Sequence, residues 1–294
     1  MSTWDVRSEC TTGCAAHAVP RVPFTETARR CAAFAQAAGR ALRDGERMAE
    51  PARLRAHARA VLGSIGVRLV VETAGATETG ETAAGLSVPA ASPPRGTLVV
   101  ANHISWLDIP ALLAVEPVTL LAKREVGDWP LVGTLARRAG TRFIDRDSPR
   151  QLPATVASLA GTLRSGRSVA AFPQATTWCS VGYGAFRRAT FQAALDAGAP
   201  VRPVTIAYEQ HGLPSTVAGF LGDEEFLSSV RRVIGARGLT VRVTVHPPLL
   251  PHSGAHDRRA LAELARAAVN GTVRSPARGH GERVSAGQAL GTYL

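Results

Sequence analysis

The stretch VVANHISWLDIPAL, residues 99–112, sets Asn102, His103, Ser105, Trp106 and Asp108 between two apolar runs. A strand feeding a helix accounts for the flanks, but not for an imidazole and a carboxylate five apart. Five residues of regular helix turn the chain about 140° past a full circle, so the two side chains cannot share a direction from mid-helix. They meet if His103 precedes the first turn and Asp108 lies one turn in, its carboxylate reaching back. Asp108 then accepts from one ring nitrogen, sets the tautomer and leaves the other nitrogen basic. Such a pair has a base and an orienter but no nucleophile. It suits removal of a proton from a substrate hydroxyl, whose oxygen then attacks an activated carbonyl. Ser105 as an enzyme nucleophile is the weaker alternative, because no G-x-S-x-G elbow surrounds it. Trp106 either walls a channel beside the pair or fills space between sheet and helix.

The elements that must hold these residues alternate along the chain. Apolar runs predict strands at 67–72, 97–101, 118–122, 141–144, 168–172, 201–208 and 239–245. Helical spacing and stop signals predict helices at 25–48, 52–62, 104–115, 129–138, 153–164, 188–197, 223–236 and 257–269. The pattern implies an α/β fold, a mostly parallel or mixed central sheet flanked by helices, with an N-terminal amphipathic helical segment. The expected organisation is a disordered leader (1–22), a helical segment and possible membrane foot (23–66), an α/β domain (67–271) and a flexible tail (272–294). Residues 73–96, rich in Gly, Pro and small residues, read as a long surface loop. In the first helix Arg29, Arg30, Arg40, Arg43 and Arg47 interleave the apolar positions. That helix either lies on an anionic membrane or packs on the domain with a solvated basic face.

Reactive residues in such sheets sit in loops just beyond the strands. Three strands here end in polar sets: NHISWLD after 97–101, DRD after 141–144 and PQATTW after 168–172. A core needs none of them, and a pocket uses all three. These sets also carry a resemblance. Asn102, His103 and Asp108 match the NHxxxxD motif of the glycerolipid acyltransferase family, whose best-known members acylate lysophosphatidic acid. The stretch LLAKREVGDWPLVGTLARRAGTRFIDR resembles its second block, with Lys123, Glu125, Pro130, Gly133, Gly140, Phe143, Ile144 and Arg146 in place. FPQATT is similar to the third block, usually FPEGTR or FPEGTT, and VRPVTI to the fourth, with Pro203 after a strand start. The likeness covers roughly residues 60 to 250, with four blocks in order. It implies transfer of an acyl group from acyl-CoA or acyl-carrier protein to a hydroxyl of a lysolipid, such as lysophosphatidic acid or a lyso-ornithine lipid. It implies His103 as general base, Asp108 as its partner, and Lys123 and Arg146 as ligands of an anionic group. A guanidinium suits that task through paired, charge-assisted bonds, although Arg146 in an ion pair with Asp145 or Asp147 is the plainer alternative.

The third block departs from the pattern. Gln174 stands where the family has Glu, Ala175 where it has Gly, and Thr177 where many members have Arg; Thr176 is retained. The residues expected to bind substrate are thus Lys123, Arg146, Gln174, Ala175, Thr176 and Thr177. Gln174 keeps the length and the acceptor oxygen but loses the charge. Ala175 adds a Cβ that is costly if the backbone there has positive φ. Thr177 removes a phosphate ligand. The acceptor is thrown open by these changes more than the chemistry. A non-glycerolipid hydroxylated metabolite, or a catalytically weakened lipid-binding homologue, are the alternatives.

Bulk composition narrows the partners. Of the 294 residues 45% are hydrophobic and 19% charged, and the net charge of +11 favours anionic partners, including membrane surfaces. Aromatic residues are 5% of the chain and basic residues are spread out, which disfavours a single-strand groove. No helix-turn-helix, zinc-finger or RNP signature occurs, so no nucleic acid is expected. Cys10, Cys14 and His17 form half of a zinc-like pattern, but no second half with ligand spacing follows. The thiols read as incidental, and neither a metal nor a cofactor is expected beyond the acyl donor as co-substrate. The start lacks a signal-peptide pattern, and no apolar run is long enough to span a bilayer. The expected location is cytoplasmic, at the inner face of the cell membrane.

Overall fold

Strand β2 (Leu98–Ala101) is buried along its whole length, and its four side chains divide between two cores. Val99 and Ala101 enter one hydrophobic cluster, Leu98 and Val100 the other, following the two-residue period of a strand. An unbroken apolar run such as LVVA is what a strand covered on both faces requires. The computed structural model describes residues 6–15, 20–75, 85–88, 94–145, 149–182, 184–251 and 257–271. Its other strands are β1 (Arg68–Thr73), β3 (Thr119–Lys123), β4 (Arg142–Ile144), β5 (Val169–Ala171), β6 (Val201–Gln210), β7 (Leu213–Pro214) and β8 (Leu239–Val245). They form one sheet of order β1-β8-β6-β2-β5-β3-β4, with β7 paired to β6. Strands β2 to β6 run parallel, β8 is antiparallel to β6, and β1 is parallel to β8. The carboxyl ends of β2, β5, β3 and β4 therefore open along one edge, where the three polar sets fall.

Helices cover both faces. Helices α2 (Pro51–Ser64), α3 (Asp108–Val115) and α7 (Phe226–Gly235) close the first core; α5 (Leu152–Arg164), α6 (Ala189–Ala197) and α8 (Arg258–Gly271) close the second. Helix α4 (Val132–Arg138) follows a 3-10 turn at Arg124–Asp128. Gly133 lies so close to the Gly127 carbonyl that a Cβ would sit 1.9 Å from it, which explains a glycine inside a helix. Leu107, Leu112 and Ile206 are fully sealed in the first core. Each contributes about 1.5–3 kcal/mol, and together they fix the start of α3 against the end of β2.

Helix α1 (Phe24–Asp44) packs on the domain through an unexpected residue. Arg30 is buried and donates to the carbonyls of Ile65, Ile234 and Ala236 while pairing with Glu26. A guanidinium read as part of a basic outer face instead clasps the ends of α2 and α7. Gly66, at φ +72°, makes room for it, since a Cβ there would meet Arg30 at 2.5 Å. Leu54, Ala58 and Leu62 of α2 share the first core with β2, β6 and β8, so residues 23–66 complete that core rather than standing apart.

Two other expectations change. Residues 6–15, expected to be disordered, bury Cys10 and Ala15 against Cys179 and Leu221. In the loop expected at 73–96, Leu86 is fully buried, and Val88 N–H donates to Thr97 Oγ1 at 2.8 Å. Leu86 and the hydrogen bonds of Ser87 and Val88 hold residues 85–88 against the domain. Residues 76–84 and 89–93 of that loop, and the tail 272–294, lie outside the described residues.

Candidate active site

Asn102 decides where β2 stops. Its carboxamide donates to Ile206 O and accepts from Ile206 N–H, both at 2.8 Å, taking the place of the next rung on β6. The main chain is thereby freed to leave the sheet at His103. Helix α3 then begins at Asp108, four residues later than the periodicity predicts. The physical reason is Asp108 itself: its Oδ2 accepts from Ile104 N–H (2.7 Å) and Ser105 N–H (2.9 Å). Those amides close a turn around the carboxylate instead of a helical ladder.

The same Oδ2 lies 2.7 Å from His103 Nδ1. Oδ1 accepts from the Tyr208 hydroxyl at 2.6 Å. Asp108 is fully buried, so its charge is held by these donors and the N-terminus of α3. Burial and the facing carboxylate push the Tyr208 phenol well above its usual range, so its proton stays in place as a donor. With Nδ1–H given to Asp108, Nε2 of His103 keeps its lone pair. The His103 side chain is 23% exposed and stacks on Phe172, centroids 4.1 Å apart. One ring nitrogen is fixed on the carboxylate, and the ring keeps partial exposure.

The third block holds the backbone of this ring. Gln174 Oε1 accepts from His103 N–H at 2.6 Å, and Trp178 N–H donates to His103 O at 2.9 Å. Gln174, expected to face substrate, is 98% buried and supports His103 with the acceptor atom that Gln and Glu share. Ala175 has φ 63°, the conformation that makes its Cβ costly, and Thr176 is half-buried on the same loop. Thr177 donates to the Phe220 carbonyl. Lys123, at the end of β3, pairs with Glu125 at 2.8 Å. Asp145 pairs with Arg124, while Arg146 and Asp147 lie outside the described residues. Trp106 donates to Ser229 Oγ and sits edge-on to Phe34 and Phe226, filling space between α1 and α7. Tyr208 escaped the sequence reading. Its signal is a lone phenol in VTIAY on the face shared by Val204 and Ile206.

Among known proteins, the family described as Acyltransferase matches residues 88–207. A 1-acyl-sn-glycerol-3-phosphate acyltransferase of Neisseria meningitidis is 39% identical over 54% of this chain and 63% of its own length. The chain thus spans slightly under two thirds of that relative. A lyso-ornithine lipid O-acyltransferase of Pseudomonas aeruginosa is 41% identical over 60% of this chain and 68% of its own. The crystal structure of the 1-acyl-sn-glycerophosphate acyltransferase PlsC from Thermotoga maritima superposes with a TM-score of 0.57 at 20% identity. It covers 84% of this chain and 92% of that one, so the likeness in fold extends well beyond the four blocks. With the Pseudomonas relative matched over two thirds of its length, the chain belongs to the PlsC-type glycerolipid acyltransferase family.

Proposed function

We propose that the protein is an O-acyltransferase that moves a fatty acyl group from an acyl thioester, acyl-CoA or acyl-carrier protein, to a hydroxyl of a lysolipid. The observation that carries this reading is the His103 ring, held at Nδ1 by a buried carboxylate while the ring itself stays 23% exposed. In the reaction Nε2 takes the hydroxyl proton as the oxygen attacks the thioester carbonyl. The tetrahedral intermediate then expels the thiolate, which receives that proton from the imidazolium and leaves as free thiol. Asp108 stabilises the imidazolium while it lasts. Lys123, at the end of β3, and Arg146, two residues beyond β4, are the proposed ligands for an anionic group of acceptor or donor.

The acceptor favoured is an amide-linked lysolipid of the lyso-ornithine kind. Thr177 brings no cation to the third block, and its hydroxyl is engaged by Phe220 O. A phosphate dianion therefore has one ligand fewer than it has with an Arg at that position. The relatives named lyso-ornithine lipid O-acyltransferase support the same choice. No helix among the described residues is long and apolar enough to cross a membrane. Exposed Phe24 and Leu227 and the charge of +11 support docking on an anionic surface, at the inner face of the cell membrane.

The test supplies purified protein on anionic vesicles with long-chain acyl-CoA or acyl-carrier protein, and measures thiol release with each lysolipid. Lyso-ornithine lipid should turn over faster than lysophosphatidic acid, and His103→Ala should lower the rate by about 10² or more. Equal turnover by His103→Ala would sink the mechanism; a preference for lysophosphatidic acid would overturn only the acceptor.

A further inference from the structure

Cys10, Cys14 and Cys179 bring their sulfur atoms within 4.8 Å of one another. Cys10 precedes the 3-10 turn Thr12–Cys14 and Cys14 is its last residue, while Cys179 follows the PQATTW loop, far along the chain. Cys10 and Cys179 are buried, Cys14 is half-buried, and none is in a disulfide. The backbone N–H of Cys179 points at Cys10 Sγ, at 3.4 Å. Amide donors of this kind stabilise a sulfur that carries negative charge, and they recur around metal thiolates.

Apolar burial does not explain why this segment is in place. Ordering residues 6–15 costs about 1–2 kcal/mol per residue in backbone entropy. Against that, Cys10 and Ala15 are its buried residues, two of the smallest side chains available. Among the ties that hold the segment, Thr216 Oγ1 donates to Cys14 O at 2.6 Å. A cross-link through the three sulfurs supplies what burial lacks. Zinc–sulfur bonds of about 2.3 Å put tetrahedral sulfurs about 3.8 Å apart, within the spread of this cluster. Three soft ligands, each from a thiol, select a thiophilic ion over magnesium or calcium.

We propose that Cys10, Cys14 and Cys179 form a structural site for one zinc-type divalent ion, with the fourth position filled by a ligand other than these thiols. Binding replaces three S–H bonds by three metal–sulfur bonds and releases three protons, leaving a local charge of minus one in a strongly basic chain. The site staples the N-terminal segment to the end of the PQATTW loop, whose last residue, Trp178, donates from its backbone N–H to His103 O. Metal occupancy thus holds the far side of the catalytic loop without taking part in acyl transfer, and the proposal stands whether or not that reaction is correct.

The test uses the full chain, produced with added zinc, reduced and desalted. Elemental analysis should find about one zinc per chain. Cobalt(II) exchanged into the site should give a thiolate-to-cobalt charge-transfer band. Cys31→Ser, which removes the exposed thiol of α1, should keep both signals, and Cys14→Ser, changing the half-buried ligand, should lose the band. Native thiol titration should count Cys31 alone until a chelator is added. Zinc at background with no cobalt band in reduced wild type would overturn the proposal, even if every variant folds. So would native mass spectrometry showing the trio as a disulfide plus one thiol.

Discussion

His103 and His246 each lie within two residues of the end of a buried strand, yet the same ring meets opposite surroundings. Strand β8 runs against β6, so His246 leaves the sheet in the opposite direction from His103. It enters the second core, where it is 95% buried. Its Nε2 lies 2.8 Å from Thr205 Oγ1, whose own proton goes to Val269 O. Nε2 must therefore be the donor, and burial depresses the affinity of this ring for a second proton. At His103 a carboxylate faces Nδ1 and the ring is partly exposed. Strand direction selects which histidine reaches the sheet edge, and the partner sets whether the ring faces a carboxylate or a hydroxyl. Residue type decides neither.

Asp108→Asn breaks the comparison most sharply, because it gives His103 a neutral partner like that of His246. An amide oxygen in place of Oδ2 can still accept from His103, Ile104 and Ser105, so the fold should survive. Without the negative charge the imidazolium is no longer stabilised, and kcat should fall by about 10²–10⁴. Circular dichroism and steady-state rates would check both halves of this statement. Tyr208→Phe is milder. It removes one charge-assisted hydrogen bond of about 1.5–3 kcal/mol from the far oxygen of Asp108. A positioning role predicts a roughly tenfold loss in kcat with KM unchanged; a rise in KM alone would show that Tyr208 acts on substrate instead.

What was legible in the sequence follows the same logic of distance. The apolar runs named every strand except β7; the central strands, buried on both faces, admit little else, and the edge strands β1 and β4 still carry an apolar run. His103 and Asp108 were readable because five residues of one turn carry both. Tyr208 and Cys179 were not, since each reaches its partners from more than ninety residues away and only the sheet order brings them together. Arg30 was misread for a related reason. Helical spacing places it on a polar stripe, but carbonyls at the ends of two other elements make that stripe an inner surface. The late start of α3 was hidden because a carboxylate competing for backbone amides looks, in sequence, like an ordinary first turn.

Ala175 tests how far the loop behind His103 tolerates strain. At φ 63° an alanine costs about 1–2 kcal/mol relative to a relaxed backbone, offset in part by the greater freedom glycine has when unfolded. Ala175→Gly should raise stability by about 0.5–1 kcal/mol in denaturant melts. If turnover rises severalfold as well, the third block has drifted from a more active form. Unchanged turnover would mean that the loop is already adapted to its acceptor and that the strain is local.

The smallest effect belongs to His246, and pH is the way to see it. Its proton affinity is depressed in the folded state, whereas the unfolded chain restores the usual value near 6.5. As pH drops through that value the unfolded state takes up a proton that the folded state resists. Stability from this residue is therefore complete above about pH 6.5 and declines below it. His246→Gln keeps a donor for Thr205 but cannot titrate. Melts from pH 7.5 to pH 5 should show wild type losing stability relative to this variant on the acid side. Arg202, whose guanidinium donates to His246 O at 2.9 Å, is common to both proteins and cancels in the difference. A difference that stays flat across the range would mean that His246 has access to water, and the contrast between a sealed ring and an open one would lose its basis.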